Sequence, residues 1–530
     1  RSNGSVDANN NEAVIIVDGT AKVDTIVAGS ASGEIKNGNV GIYIRGGTVN
    51  KIIGGCQGFS NVKAPYTGKT SINISGGTVN MVYGAGSGRA TGIPTYQGIL
   101  DIIVTGGSIS NIYGSGSAAY VVSGEDATKV NISVSAGTVG NIYAAGVGGE
   151  AGVDGGNDVN GTPAADFGSL TGKADITIDN DAVITGNIYA SGQGYTQKDY
   201  GKGNAYLDGE ANITVNGGTI KGNIYGGGEG VNKAGFEKSA RVCKNSKVTV
   251  EIKGGLIEGY VYGGGKVAEV EGSTNVIISG GTIKGNVYGG GEAGLTHGRA
   301  AVHMANGTVN GSIYGGALGK VGDRFVYGGS TVNMTGGWVR GNVYGGSELS
   351  NDGKSGEQDE KSASGLVFVN LTGGTVSGKV FGGGFQGIVN GSTHVHIGLG
   401  AIDKCNYYKS HAEEKPVLDA SGLSVGGSVY AGGDYGGDSA DLNYDTITVN
   451  GFSHVYIDGT DYSFGAGDTG GKKMEIAGGV FGSGASCDAG DVRLVTLDHF
   501  GAAASGGGQP EQVTGTVTSI QRADQVRLIQ

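Results

Sequence analysis

The twelve-residue phrase Gly-Gly-Thr-Ile-Lys-Gly-Asn-Val-Tyr-Gly-Gly-Gly at Gly280 to Gly291 returns in altered form along almost the whole chain. A chain that repeats in this way builds its fold one unit at a time. With Tyr288 as marker, the equivalent residues are Val27, Ile53, Tyr83, Tyr113, Tyr143, Tyr189, Tyr225, Tyr262, Tyr314, Tyr344, Phe381, Tyr430 and Phe481. Successive spacings are 26, 30, 30, 30, 46, 36, 37, 26, 26, 30, 37, 49 and 51, so 26 residues is the unit and the excess is inserted loop. A fixed unit with variable insertions is the sequence signature of a solenoid.

Each unit carries a strictly alternating segment before its Gly-Gly pair, such as Ser71-Ile72-Asn73-Ile74-Ser75 or Ala211-Asn212-Ile213-Thr214-Val215. Period two means one buried and one wet face. Ile72, Ile74, Ile132, Val134, Val250, Ile252, Val332 and Met334 fall on the buried face, with Ser, Thr, Asn, Asp, Lys or Glu between them. A second short strand carries Thr-Ile or Thr-Val, and a third ends in the aromatic marker. Helix is not expected, because β-branched residues dominate and glycine interrupts every few positions. With 113 Gly and 5 Pro, the glycines suit corners that need positive φ or close approach of the next coil, and they stay in register with the apolar columns, which a disordered chain would not do.

The expected architecture is all-β: a right-handed parallel β-helix of about 14 coils with a minimum repeat of 26 residues. At roughly 4.8 Å per coil its rod would be on the order of 65 Å long. Residues 1–12 read as a lead-in, 13–489 as the β-helix, and 490–530 as a terminal cap or the start of a following region, since glycine thins there. The opening Arg1-Ser2-Asn3-Gly4 suits a mature or excised piece of something larger.

The charge balance, 36 Lys plus Arg against 48 Asp plus Glu, gives −12 with no basic cluster, so nucleic acid is not an expected partner. No apolar run approaches membrane-spanning length, and membrane insertion is not expected. Cys56, Cys243, Cys405 and Cys487 lie several coils apart, which predicts free thiols and a reducing or anaerobic habitat.

Five insertions, Gly148 to Thr171, Gln193 to Gly209, Glu229 to Ser246, Ser347 to Ser364 and Gly433 to Asp445, follow the aromatic corner and would line one edge, a place where solenoids carry recognition. The aromatic column, Tyr225, Tyr262, Tyr288, Tyr314 and Tyr344 above all, is the candidate binding surface if its rings turn outward; covered by the loops, the same rings are a structural stack. Asn111, Asn141, Asn187, Asn223, Asn286 and Asn342 form an amide column expected to satisfy corner backbone groups. Lys221, Glu258, Lys284, Asn310 and Arg340 form one row in which opposite charges on neighbouring strands are expected to pair, and Lys284 or Arg340 is the nearest thing to the base that a polysaccharide lyase would need. Asp434, Asp438, Asp441 and Asp445 fit no calcium-loop spacing, so no cofactor is expected beyond loosely held calcium. His394 and His396 share one strand face, but the neighbouring columns are expected to offer only Phe368, Asn370, Thr446 and Thr448, which makes them a solvated pair and predicts no metal site. No catalytic residues emerge.

The phrase at Gly280 and its variant Gly-Gly-Thr-Val-Ser-Gly-Lys-Val-Phe-Gly-Gly-Gly at Gly373 resemble the glycine-rich β-strand repeats of very large adhesin-like surface proteins of anaerobic gut bacteria, over roughly Ala13 to Gly490. The resemblance implies an extracellular, cell-surface protein of adhesin-like type; the expected function is a non-catalytic stalk whose loop edge contacts a host glycan or protein or neighbouring copies of itself. A glycan-active lyase or hydrolase is the alternative.

Overall fold

The computed structural model describes residues 6–7, 12–30, 33–58, 65–88, 94–117, 120–121, 129–148, 168–195, 204–232, 238–319, 324–353, 365–434, 449–459, 474–482, 484–485, 492–498 and 513–515. Within the five insertions, residues 149–167, 196–203, 233–237, 354–364 and 435–445 lie outside these residues, and so does Cys487. The fold is all-β. Two compact units divide it: Arg1–Tyr260 with Gly264–Gly272, and Val261–Gly263 with Ser273–Gln530.

Within the first unit the described strands pair in parallel from one repeat to the next. The long strands Tyr66–Ile74, Thr95–Tyr113, Lys129–Tyr143, Leu170–Ile178, Leu207–Val215 and Lys247–Ile252 hold Ile72, Ile102, Ile132, Ile176, Ile213 and Val250 in one column and Ile74, Val104, Val134, Ile178, Val215 and Ile252 in another. A further column, Val49, Val79, Ile109, Val139, Ile184, Ile220 and Ile257, follows the Gly-Gly pairs. These side chains are buried, each burial worth roughly 2 kcal/mol. The alternation read from the sequence is thus the alternation of the pleat. The lead-in contributes Val6–Asp7, which pairs in parallel with Ile35 and Lys36.

The corners need glycine for steric reasons. Gly77 has φ 76°, and a Cβ there would lie 2.7 Å from the carbonyl carbon of Gly46 one repeat earlier. Such backbone approach leaves no room for a side chain.

The second unit repeats the pattern through Thr274–Ile283, Ala300–Val309, Ser330–Val339 and Val367–Val376, and through the short strands Val261–Tyr262, Val287–Tyr288, Ile313–Tyr314, Val343–Tyr344, Val380–Phe381 and Val429–Tyr430. Tyr262, Tyr288 and Tyr314 pair at steps of 26 residues, the unit length expected. Val287, Ile313 and Val343 are fully buried.

Here the regularity is broken once in a way the sequence did not announce. After Thr393–Ile397 the chain leaves the ladder at Gly398 (φ 94°) and forms two short helices, α1 (Leu399–Lys404) and α2 (Asn406–Ser410), then a 3-10 turn at Ala412–Glu414, before Leu423–Val425 resumes pairing with Gly374–Val376. The expectation of no helix fails at this insertion, where α1 buries Ala401 and Ile402 and α2 buries Tyr407 and Tyr408. Apolar residues spaced three to six apart satisfy a local helix packed on a sheet face as readily as they would a strand. A second departure lies at the far end, where Val492–Asp498 pairs antiparallel with Val513–Gly515.

Candidate metal centre

The aromatic column does not offer the surface one reading of it required. Tyr225, Tyr262, Tyr288, Tyr314 and Tyr344 are between 1% and 5% exposed. Within the first unit Tyr143 stacks on Tyr189 at 4.7 Å and Tyr189 on Tyr225 at 4.9 Å. Within the second, Tyr262, Tyr288, Tyr314 and Tyr344 stack at 4.9, 5.1 and 4.7 Å. Strand spacing sets that distance, so each ring's faces are taken by its neighbours and cannot stack on a sugar. The phenol oxygens are occupied too. Tyr143 donates to Glu229 at 2.7 Å, and Tyr288 donates to Glu348. Burial pushes these phenols above their ordinary range, and it raises the Glu348 carboxyl as well.

The amide column does what its residue type implies. Asn286 accepts the Ser312 N–H through Oδ1 at 2.9 Å and donates from Nδ2 to the Tyr288 oxygen at 2.9 Å. Asn187, Asn223 and Asn342 repeat both bonds.

Chemistry is concentrated elsewhere, around the histidines. Thr393–Ile397 pairs with Val367–Leu371 on one side and with Ser453–Ile457 on the other, so His394 lies between Phe368 and His454, and His396 between Asn370 and Tyr456. Thr446 and Thr448, the expected neighbours, lie outside the described residues. The strand that continues the ladder is Ser453–Asp458. Nor is the pair solvated: His394 is 8% exposed and His396 3%. The α1–α2 insertion covers the face. Phe368, Ile402, Cys405, Tyr407 and Tyr408 form one apolar cluster over it.

The cover brings in a third ligand type. Cys405 stands at the junction of α1 and α2, and its sulfur and one ring nitrogen of each of His394 and His396 lie within 4.8 Å of one another. A cavity of about 560 Å³ opens beside them, lined also by Lys404, Ser410, His411 and Tyr456.

Hydrogen bonds fix how these groups present themselves. Asn370 uses its Nδ2 to donate to Asn333 Oδ1 at 2.7 Å and to the Tyr408 oxygen at 3.2 Å, so its Oδ1 is the atom that meets His396 Nδ1 at 2.7 Å. His396 therefore carries its proton on Nδ1 and a lone pair on Nε2. The chain of amides continues to His303, whose Nδ1 is 3.0 Å from Asn333 Nδ2. Burial holds the imidazoles neutral: His394 falls well below the usual range, His396 to about 3. Burial pushes the Cys405 thiol up, while the backbone N–H groups of Tyr408 and Tyr407 pull the other way. Cys56, Cys243 and Cys405 are free thiols.

Two of the three residues were visible as a pair in the sequence; Cys405 was not, since nothing in its spacing ties it to the strand. Of the acidic loop, Asp434 is described, and it receives the Tyr344 hydroxyl at 3.2 Å. No protein-family model, curated protein or solved structure matches this chain, so the site is read from its own geometry.

Proposed function

We propose that each unit is a stack of coils of a right-handed parallel β-helix, and that the chain is a non-catalytic, extracellular stalk of adhesin-like type that binds through its loop edge. One observation carries the loop-edge reading. Val147, Gln193 and Glu229, from which three of the insertions depart, bridge to one another in parallel in the first unit, and Phe385, Asp434 and Ala485 do so in the second. The three insertions of the first unit therefore spring from one row rather than from scattered points, and in the second unit the Gly433 insertion stands on such a row, which is how solenoids arrange a recognition edge. Stacked Tyr and Asn columns directly behind that row supply a rigid support.

The glycan-active alternative draws on the outer face of the first unit, where a shallow depression of about 410 Å³ is lined by Lys129, Asp175, Glu251 and polar neighbours. Those charges are matched in place: Lys129 lies 3.4 Å from Asp175, Lys173 3.7 Å from Asp175 and 3.9 Å from Glu210, and Asn212 donates to Asp175 at 2.8 Å. A ladder of satisfied cross-strand pairs explains them. Arg340, a candidate base with Lys284 in the sequence row, lies 4.4 Å over the Trp338 ring.

A glycan array combined with a turnover screen on acidic polysaccharides tests both readings. The stalk reading expects binding without turnover, lost when 149–167, 196–203 and 233–237 are replaced by short linkers. Turnover abolished by Arg340→Ala, or binding that survives loop removal, overturns it.

A further inference from the structure

We propose that His394, His396 and Cys405 bind one Zn²⁺ through two imidazole nitrogens and a thiolate, leaving the fourth position open to the adjoining cavity for water or a small anion. Nothing in the stalk reading calls for such a site. Three independent features of the second unit lead to it.

The first is the donor set. Two imidazoles and a thiol with no carboxylate among them exclude Ca²⁺ and Mg²⁺, which take oxygen, and select a borderline or soft ion. Zinc takes this set in tetrahedral form, with three protein ligands and an exchangeable fourth.

The second is preparation. A ligating histidine ordinarily donates its other ring N–H to a carbonyl or carboxylate, which fixes tautomer and ring orientation. His396 has that partner in Asn370 Oδ1 at 2.7 Å, and Asn370 is itself held by Asn333 and Tyr408. A solvated surface histidine needs no such support. Four residues on successive strands, His303, Asn333, Asn370 and His396, stand in one register column, and each donates to the one before it, from His396 Nδ1 through Asn370 and Asn333 to His303 Nδ1.

The third is enclosure with access. The three ligands are buried, and the insertion that supplies Cys405 also roofs the pair with Tyr407 and Tyr408, yet all three line the cavity of about 560 Å³. Room for a fourth ligand favours zinc over a linear or trigonal Cu(I) site. Lys404 also lines the cavity, with its ammonium 2.9 Å from the buried Asp458 carboxylate, which balances its charge. Ideal bond lengths put tetrahedral ligand atoms roughly 3.3 to 3.6 Å apart, so metal entry draws the three inward by about an ångström. The thiol proton leaves to solvent as the metal–sulfur bond forms, and no electron is transferred.

Co²⁺ replaces Zn²⁺ in such sites and reports on the ligands. The intact chain, stripped of metal by a chelator and kept reduced, is titrated with Co²⁺ and then with Zn²⁺. The expected result is a sulfur-to-cobalt charge-transfer band with four-coordinate ligand-field bands at one equivalent, bleached by one equivalent of Zn²⁺. Cys405→Ser removes the charge-transfer band, His396→Gln weakens Zn²⁺ binding at least tenfold, and Asn370→Leu, a positioning change, weakens it roughly 10- to 100-fold without altering stoichiometry. X-ray absorption of the zinc-loaded wild-type chain needs no variant: one sulfur at about 2.3 Å with light-atom neighbours at about 2.0 to 2.1 Å is expected. An all-oxygen shell, no retained equivalent, a charge-transfer band undiminished in Cys405→Ser, or retention of Cu(I) with no retention of Zn²⁺ overturns the proposal.

Discussion

At the scale of single residues, the second unit sets buried acids against buried bases, and the outcome is a pH dependence whose sign can be worked out. His394 and His396 are held neutral by burial, His396 down to about 3, whereas in the unfolded chain they take a proton near 6.5. Between those values the unfolded chain binds more protons, so their contribution to stability is lost as pH falls below about 6.5. Asp352 acts in the opposite sense. It is fully buried, accepts from the Ser347 amide at 2.8 Å and hydroxyl at 2.7 Å, and is pushed up to about 7 by burial. The folded chain binds its proton between about 4 and 7, so acidification through that window stabilises. His303, lowered by burial, and Glu348, raised by burial, add one further group of each sign. The strongly lowered His394 and His396 against Asp352 leave a net loss of stability from pH 6 to 4.5, with a slope on the order of one proton, about 1.4 kcal/mol per pH unit. Removing one opposing group by Asp352→Asn is expected to steepen the slope toward two protons. Chemical denaturation of the second unit's transition in the metal-free chain across this range measures it, and an unchanged or shallower slope in the variant refutes the assignment.

Among elements, the short strand ending in the aromatic is held by its corner as much as by its pairing. Asn occupies the position two before the aromatic in six units whose aromatic is Tyr, and it is absent from both Phe units, which have Lys379 and Gly479 there. In four of the six, Asn187, Asn223, Asn286 and Asn342, the amide donates to the phenol oxygen while accepting the next repeat's N–H, whereas Asn141 donates to Asn111 and Asn111 to the Met81 sulfur. Asn286→Ala leaves the Ser312 N–H without its acceptor and is expected to cost about 1 to 3 kcal/mol, whereas Tyr288→Phe, which keeps the stacked ring, costs less. Equilibrium denaturation of the two variants ranks them, and the reverse order would show that the phenol, not the amide, secures the corner. Elements also show where sequence reasoning worked and where it stopped. Strand positions, inward columns and the amide row were legible because period two, Gly-Gly corners and β-branching all agree from unit to unit. The His–Cys site was not, because Thr446 to Val449 alternates as well as His454 to Ile457 does, and only the ladder decides between them. Val449 instead bridges to Val389 ahead of the strand. Cys405 meets the histidines through the packing of α1 and α2, a contact with no period to reveal it.

For the molecule as a whole, the decisive property is that contacts run between adjacent repeats. Ile213 touches the ladder through Ile176 on one side and Val250 on the other. Damage at one coil should therefore stay near that coil, unlike damage to a globular core, where every element shares one interior. Ile213→Ala removes a fully buried side chain at a cost of about 2 to 5 kcal/mol. Hydrogen exchange of the full chain is expected to show faster amides in Leu170–Ile178, Leu207–Val215 and Lys247–Ile252, with Tyr66–Ile74 in the same unit and Val367–Val376 in the other unchanged. Denaturant should accordingly resolve more than one transition, since no single event exposes all the columns. Acceleration spread evenly over both units, with one sharp transition, would mean that the repeats are coupled more widely than their nearest-neighbour ladder allows, and the stalk reading would lose its mechanical basis.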